Sequence, residues 1–78
     1  MSFIGKTEER LITTTDKKIF KIFITEQQGG FWIATVLYTK DGVVDTKNFA
    51  NIDREETYRL AVEWVLNNID DKATIESL

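Results

Sequence analysis

Cysteine and histidine are both absent from this 78-residue chain. Without cysteine, neither a disulfide nor a thiolate metal site can form. Without histidine, carboxylates are the only strong metal ligands left, and the usual general base of enzymes is missing. The two serines, Ser2 and Ser77, lie near the termini, where a preorganised catalytic site is not expected. We therefore expect no catalytic residue, no metal site and no cofactor, and hence a protein that is not an enzyme.

Proline is absent as well, and no apolar run approaches the ~20 residues that a membrane-spanning helix needs. Every turn must therefore rely on glycine, aspartate or asparagine. The first residues also lack the apolar run of a signal peptide. From these absences we expect a soluble, cytoplasmic protein that makes no membrane contact.

The short length limits how large a core the chain can build. Chains of this size usually derive only ~3–5 kcal/mol from one core and often add a metal, disulfides or a second subunit. Hydrophobic residues make up 42% and charged residues 29%, which is typical of a folded domain. Because disulfides and metals are excluded, self-association is the reinforcement that remains. We expect a homodimer.

The stretch FWIATVLYTK, residues 31–40, is the strongest strand in the sequence. It is rich in β-branched and aromatic residues, follows Gly29-Gly30 and precedes Asp41-Gly42, which is a typical type I′ hairpin turn. Apolar and polar alternation on either side predicts three further strands. We place the four strands at about residues 9–15, 18–26, 31–40 and 43–50.

The periodicity then changes to that of a helix. Asp53 followed three residues later by Glu56 is a capping box, and it predicts a helix over about residues 54–69. The helical stripe expected to face the sheet comprises Tyr58, Ala61, Val62, Val65 and Ile69. Residues 70–78 form a tail with apolar side chains that can pack back. The prediction is one α+β domain over residues 1–78: a four-stranded antiparallel meander (ββββα) with one helix on one face.

The central strands are apolar on both faces, although one helix can cover only one. If the face with Trp32 and Val36 meets the helix, then Phe23, Ile33 and Leu37 point outward; the reverse register leaves another apolar set outside. Either neighbouring side chains and the termini cover this patch, or a partner does. We take Phe23, Ile33 and Leu37 as the first candidate interface, between two sheets of a homodimer.

The helix carries a second surplus patch. Leu60 and Trp64 lie nearly opposite the stripe that should face the sheet. Either the tail folds over them through Ile75 and Leu78, or they form a subunit contact, where tryptophan is enriched. This is the second candidate interface. The expected function is a small binding or regulatory module acting through protein–protein contacts, with itself and with another protein.

Binding of single-stranded nucleic acid is the alternative function. Aromatic platforms beside basic side chains grip single strands, and the ββββα order resembles the transcriptional-coactivator and Whirly single-strand binders, which use their sheets in this way as oligomers. The net charge of −3 and the pI of about 4.8 are opposite to the basic balance of such domains. The candidate contacts are Lys17, Lys18, Lys21, Lys40 and Lys47.

A second resemblance rests on two runs of sequence. GGFWIATV, residues 29–36, and DREETYRLAVEWVLNNI, residues 53–69, resemble HicB-type antitoxin domains. Those domains have a strand that begins with glycine and an aromatic residue, a hairpin, and a helix that begins with paired acids. The Pro-Gly turn typical of that family is missing here. This resemblance implies a small antitoxin-like module that binds another protein.

Overall fold

The computed structural model describes residues 7–78, which form five strands and one helix. The antiparallel sheet has the order β4-β3-β2-β1-β5, and the helix packs on one of its faces. The α+β fold predicted from the sequence, a meander followed by a helix, is confirmed, with a short fifth strand added. In chain order the elements are β1 Glu8–Thr13, β2 Ile19–Gln27, β3 Phe31–Lys40, β4 Val43–Asn51, α1 Arg54–Asn68 and β5 Thr74–Ile75.

The hairpin between β3 and β4 sets the register in which these two strands pair. Asp41 and Gly42 both have positive φ, 54° and 78°, as a type I′ turn requires. Pairing then runs without interruption from Lys40 opposite Val43 to Trp32 opposite Asn51. The twist of this turn matches that of the strands, so the predicted Asp-Gly turn fixes which residues share a face.

The buried face of the sheet is the one that carries Val36. Ile22, Ile24, Ala34 and Val36 are buried there, and Trp32 packs against the same cluster. Fully burying an aliphatic side chain of this kind contributes about 1.5–3 kcal/mol. The sequence left open which face of the sheet meets the helix. In the structure, Phe23, Ile33 and Leu37 lie on the face that points away from it.

Asp53 caps the helix, which begins at Arg54. The Asp53 carboxylate accepts a hydrogen bond from the Glu55 amide at 3.0 Å. The other half of the predicted capping box does not form, because the Glu56 carboxylate instead accepts hydrogen bonds from Arg59 one turn later. Within residues 7–78, no helix is both long enough and apolar enough to cross a membrane.

The tail adds to the sheet instead of folding over the helix. In β5, Ile75 pairs with Ile12 of β1 and packs against the core. The Tyr58 hydroxyl, on the buried side of α1, donates a hydrogen bond to the Glu76 carbonyl. The tail therefore closes the β1 edge of the domain, on the side away from β4.

An ion pair ties the start of the helix to the first strand. The Arg54 guanidinium donates to both carboxylate oxygens of Glu8, at 2.7 and 2.8 Å, and lies 5.7 Å from the centre of the Trp32 ring. Arg10 donates to the same carboxylate at 3.1 Å. These two cations hold the pKa of Glu8 below its ordinary value, with the Arg54 hydrogen bond as the largest cause.

Candidate interaction surfaces

The sheet face opposite the helix, called here the open face, carries the first candidate interface. Phe23, Ile33 and Leu37 all lie on it and are half-buried by their neighbours. Larger fractions of Ile19 (63%) and Val44 (65%) are exposed on the same side. Among residues 7–78, the helix packs on the other face and β5 lies within the sheet, so no described element covers this one.

The register brings the three candidate residues into one cluster. Phe23 of β2 pairs with Thr35 of β3, and Ile33 and Leu37 lie two residues to either side of Thr35. Diagonal neighbours of this kind are about 7–8 Å apart, within reach of an aromatic ring. The cluster therefore presents a phenyl ring between two aliphatic side chains, a shape that can pack against another protein surface.

The charge of the open face is balanced. Across β1 to β4 its charged residues are Glu9 and Lys21, which form an ion pair at 3.2 Å on paired strands. The remaining polar side chains are neutral, and the Thr35 hydroxyl donates to the Asn48 amide oxygen at 2.6 Å. A face with no net charge can meet a copy of itself without electrostatic repulsion.

The second candidate interface, Leu60 and Trp64 on the helix, does not form the outward-facing patch that the sequence predicted. Trp64 packs towards the sheet, with its ring centre 5.2 Å from that of Tyr38 and 6.4 Å from that of Phe49. The expectation that Trp64 lies opposite the buried stripe was wrong. Thr57 is fully buried, its hydroxyl satisfied by the Asp53 carbonyl at 2.7 Å, and this moves the buried arc of the helix towards Trp64. Leu60 stays half-buried beside this arc.

The five candidate lysines do not gather on one surface. Lys21 lies on the open face, paired with Glu9, whereas Lys47 lies on the helix side, opposite Val36. The others occupy the two turns at one end of the sheet. Lys17 has a φ of 68° in the β1–β2 turn, Lys18 pairs with Asp16 at 3.6 Å in that turn, and Lys40 flanks the β3–β4 turn.

An open cleft of about 600 Å³ lies at that end of the domain, between the two turns and the last turn of α1. Sequence reasoning did not find it, because its lining comes from three separate segments. Asp70 accepts hydrogen bonds there from the Thr15 amide at 2.7 Å, the Thr15 hydroxyl at 2.8 Å and the Lys72 amide at 3.0 Å. These donors lower the pKa of Asp70. Asp70 thus fastens the helix end to the β1–β2 turn.

Residues 7–78 contain no group of three or more side chains placed to hold a metal ion. The chain matches no known protein family, no curated protein and no solved structure. The surfaces themselves are therefore the basis for a function, and the open face is the one that brings its predicted residues together.

Proposed function

We propose that this chain is a non-enzymatic binding module that acts through protein–protein contacts, and that its open face binds a second copy to form a homodimer. The observation that carries the proposal is the cluster of Phe23, Ile33 and Leu37 on a face that no described element covers. The cytoplasm is the compartment that we propose for this module.

The size of the open face supports this occupant. The molecule measures 38 × 22 × 17 Å. A ten-residue strand is ~33 Å long and five strands span ~20 Å, so the two longer dimensions are those of the sheet. Their product, roughly 800 Å², is an upper bound on the flat area of the face and is of the same size as the ~800 Å² of accessible surface that each partner contributes to a standard interface. A second copy of equal size can cover the whole face.

The composition of the face points the same way. A two-fold contact brings each patch against its own copy, so a patch of one charge sign repels itself. The open face avoids this because Glu9 and Lys21 neutralise one another. The apolar cluster lies beside this pair, since Phe23 is opposite Glu9 and Leu37 is opposite Lys21.

Nucleic-acid binding finds less support from the same geometry. Of the five candidate lysines, Lys21 alone lies on the open face, where it forms an ion pair with Glu9. A single-strand site needs several cations along one groove. A salt-dependent gel shift with single-stranded DNA, abolished by Lys21→Glu, is the result that supports this alternative over the homodimer.

Sedimentation equilibrium tests the proposed contact with a matched pair of variants. Phe23→Lys places a charge in the centre of the cluster, and Leu60→Lys places the same charge on a half-buried leucine of the helix. We expect the natural chain to exceed its 9.0 kDa monomer mass, Phe23→Lys to lower that mass, and Leu60→Lys to leave it unchanged. Circular dichroism confirms that both variants fold.

Two outcomes contradict the proposal. A natural chain that stays at 9.0 kDa up to high micromolar concentration shows that the open face has no self-affinity. Loss of association in Leu60→Lys but not in Phe23→Lys shows instead that the helix forms the contact, which was the second candidate in the sequence analysis.

A further inference from the structure

Strand β4 forms one edge of the sheet, and no strand from residues 7–78 lies on its outer side. It is nine residues long, Val43–Asn51, and its residues are exposed from Val43 to Asn48. At the opposite edge the two-residue β5 pairs with Ile12 and Thr13 of β1, and the residues after it bond to Leu11 and Arg10. A long, exposed edge strand offers a row of backbone donors and acceptors to which another strand can pair.

The hairpin determines which backbone groups of β4 point outward. Lys40 and Val43 flank the two-residue turn, and in such a turn the flanking residues are hydrogen-bonded to each other. Val43 and every second residue after it therefore face β3, and Val44, Thr46 and Asn48 turn their amides and carbonyls outward. The Thr46 amide agrees with this assignment, since it donates to the preceding Asp45 carboxylate at 2.8 Å and not to β3. Pairing with another strand would exchange this bond for one to a carbonyl and free the Asp45 carboxylate.

We propose that β4 pairs antiparallel with β4 of a second copy, about a two-fold axis that passes beside Thr46. In this register Thr46 faces Thr46 of the second copy as a hydrogen-bonded pair, and Val44 faces Asn48. Asp45 then stands opposite Lys47 of the second copy, and Lys47 opposite Asp45. These are non-hydrogen-bonded positions, where side chains come closest, so the two-fold contact creates two cross-strand ion pairs.

The charges of Asp45 and Lys47 determine which strand pairs with β4 and in which register. An axis beside Asp45 or beside Lys47 places that residue opposite itself, which brings like charges together. Charged residues also serve to keep strands away from a sheet edge. Here, however, the two charges have opposite signs and flank Thr46 symmetrically, so the strand that best complements β4 is a second β4.

This edge contact is separate from the proposed contact of the open face. Asp45 and Lys47 lie on the helix side of the sheet, opposite Tyr38 and Val36. Pairing at the edge joins two five-stranded sheets into one of ten strands, with both open faces on the same side. Two such pairs can stack through their open faces into a tetramer with three mutually perpendicular two-fold axes.

Charge reversal tests the edge contact without disturbing the open face. The measurements use the Phe23→Lys chain, in which the open-face contact is disabled. Adding Asp45→Lys or Lys47→Asp should weaken self-association roughly tenfold, because two cross-strand pairs each change from attraction to repulsion. An equimolar mixture of these two variants should form a heterodimer, since each strand then faces unlike charges. The double reversal, with both substitutions in one chain, should restore the homodimer.

Single cysteines test the register, because the natural chain has none. Thr46→Cys should form a disulfide-linked dimer on mild oxidation, since directly opposed residues are about 5.5 Å apart at their Cα atoms. Val44→Cys and Asn48→Cys should not link to themselves, but a mixture of the two should link to each other.

Two results overturn the edge inference. One is a folded Phe23→Lys chain that remains monomeric at every concentration, which leaves the open-face proposal standing. The other is association that is indifferent to reversal of Asp45 or Lys47, with equal cross-linking at residues 44, 46 and 48. Failure of the open-face proposal would give a different result. Phe23→Lys would then leave the mass of the assembly unchanged, whereas charge reversal at Asp45 or Lys47 would lower it.

Discussion

Truncating one apolar side chain on each face of the sheet should separate folding from association. Ile22 is fully buried under the helix, whereas Leu37 is half-buried on the open face. Ile22→Ala should cost about 2–5 kcal/mol, because it leaves a cavity in the core. That is a large share of the ~3–5 kcal/mol that one core of this size supplies. Leu37→Ala removes a side chain that stays partly in water in the monomer, so it should cost about 1 kcal/mol or less at low concentration.

Concentration then distinguishes the two positions. If the folded chain forms a dimer, a hundredfold rise in chain concentration raises its apparent stability by about ½RT ln 100 per chain, or about 1.4 kcal/mol, because two chains share one association. Ile22→Ala should keep this increment, because Ile22 does not reach the open face, and Leu37→Ala should lose part of it. Urea unfolding, monitored by tryptophan fluorescence at two chain concentrations, measures both the stability lost in each variant and the increment with concentration. An increment that is equal in the natural chain and in Leu37→Ala, or absent from both, would show that Leu37 does not contribute to association.

Three further predictions concern the helix and its attachment. The folded pKa of Glu8 is depressed below its ordinary 4.5, so its stabilising effect is present above pH 4.5 and is lost as the pH falls through the folded value. The fall in urea midpoint below pH 4.5 should be smaller in Glu8→Gln, and a fall as steep as in the natural chain contradicts the Arg54 contact. Asp53→Ala should cost about 1 kcal/mol through loss of the helix cap, measured by thermal unfolding. Trp64→Ala should cost about 2–4 kcal/mol and reduce the near-ultraviolet dichroism, because its ring packs on Tyr38; a smaller loss than for Asp53→Ala argues against that packing.

The sequence predicted the features that depend on local chemistry. Asp41-Gly42 specifies a turn in which both residues take positive φ, and this turn fixed the bounds of β3 and the start of β4. Asp53 marked the start of the helix for a similar reason, because its carboxylate satisfies an amide that the helix leaves free. Such features need only a few neighbouring residues.

The features that depend on tertiary contacts could not be predicted in the same way. From the sequence, the polar Thr57 is expected to face solvent. In the structure its hydroxyl donates to the Asp53 carbonyl one turn earlier, and the residue is buried. The apolar stripe drawn without Thr57 was therefore rotated, and Trp64 was assigned to the wrong side. The pairing of Ile75 with Ile12 joins residues from opposite ends of the chain, and β5 is too short to have a pattern of its own.

The choice between the two sheet faces also needed the structure. Phe20, Ile22 and Ile24 alternate with Ile19, Lys21 and Phe23, so both faces of β2 contain large apolar side chains. The small side chains of Ala34 and Ala61, both fully buried, lie where the helix meets the sheet. Close approach of the helix on that side leaves Phe23 on the other, which is why the candidate interface became definite only with the fold.

Contact between the open faces of two copies can be observed directly by nuclear magnetic resonance. Chains labelled with carbon-13 are mixed with unlabelled chains, and an isotope-filtered nuclear Overhauser spectrum records only contacts from one copy to another. We expect signals between the Phe23 ring of one copy and the methyl groups of Ile33 and Leu37 of the other. A spectrum without these signals, at a concentration where sedimentation shows association, contradicts the claim that the open face binds a second copy.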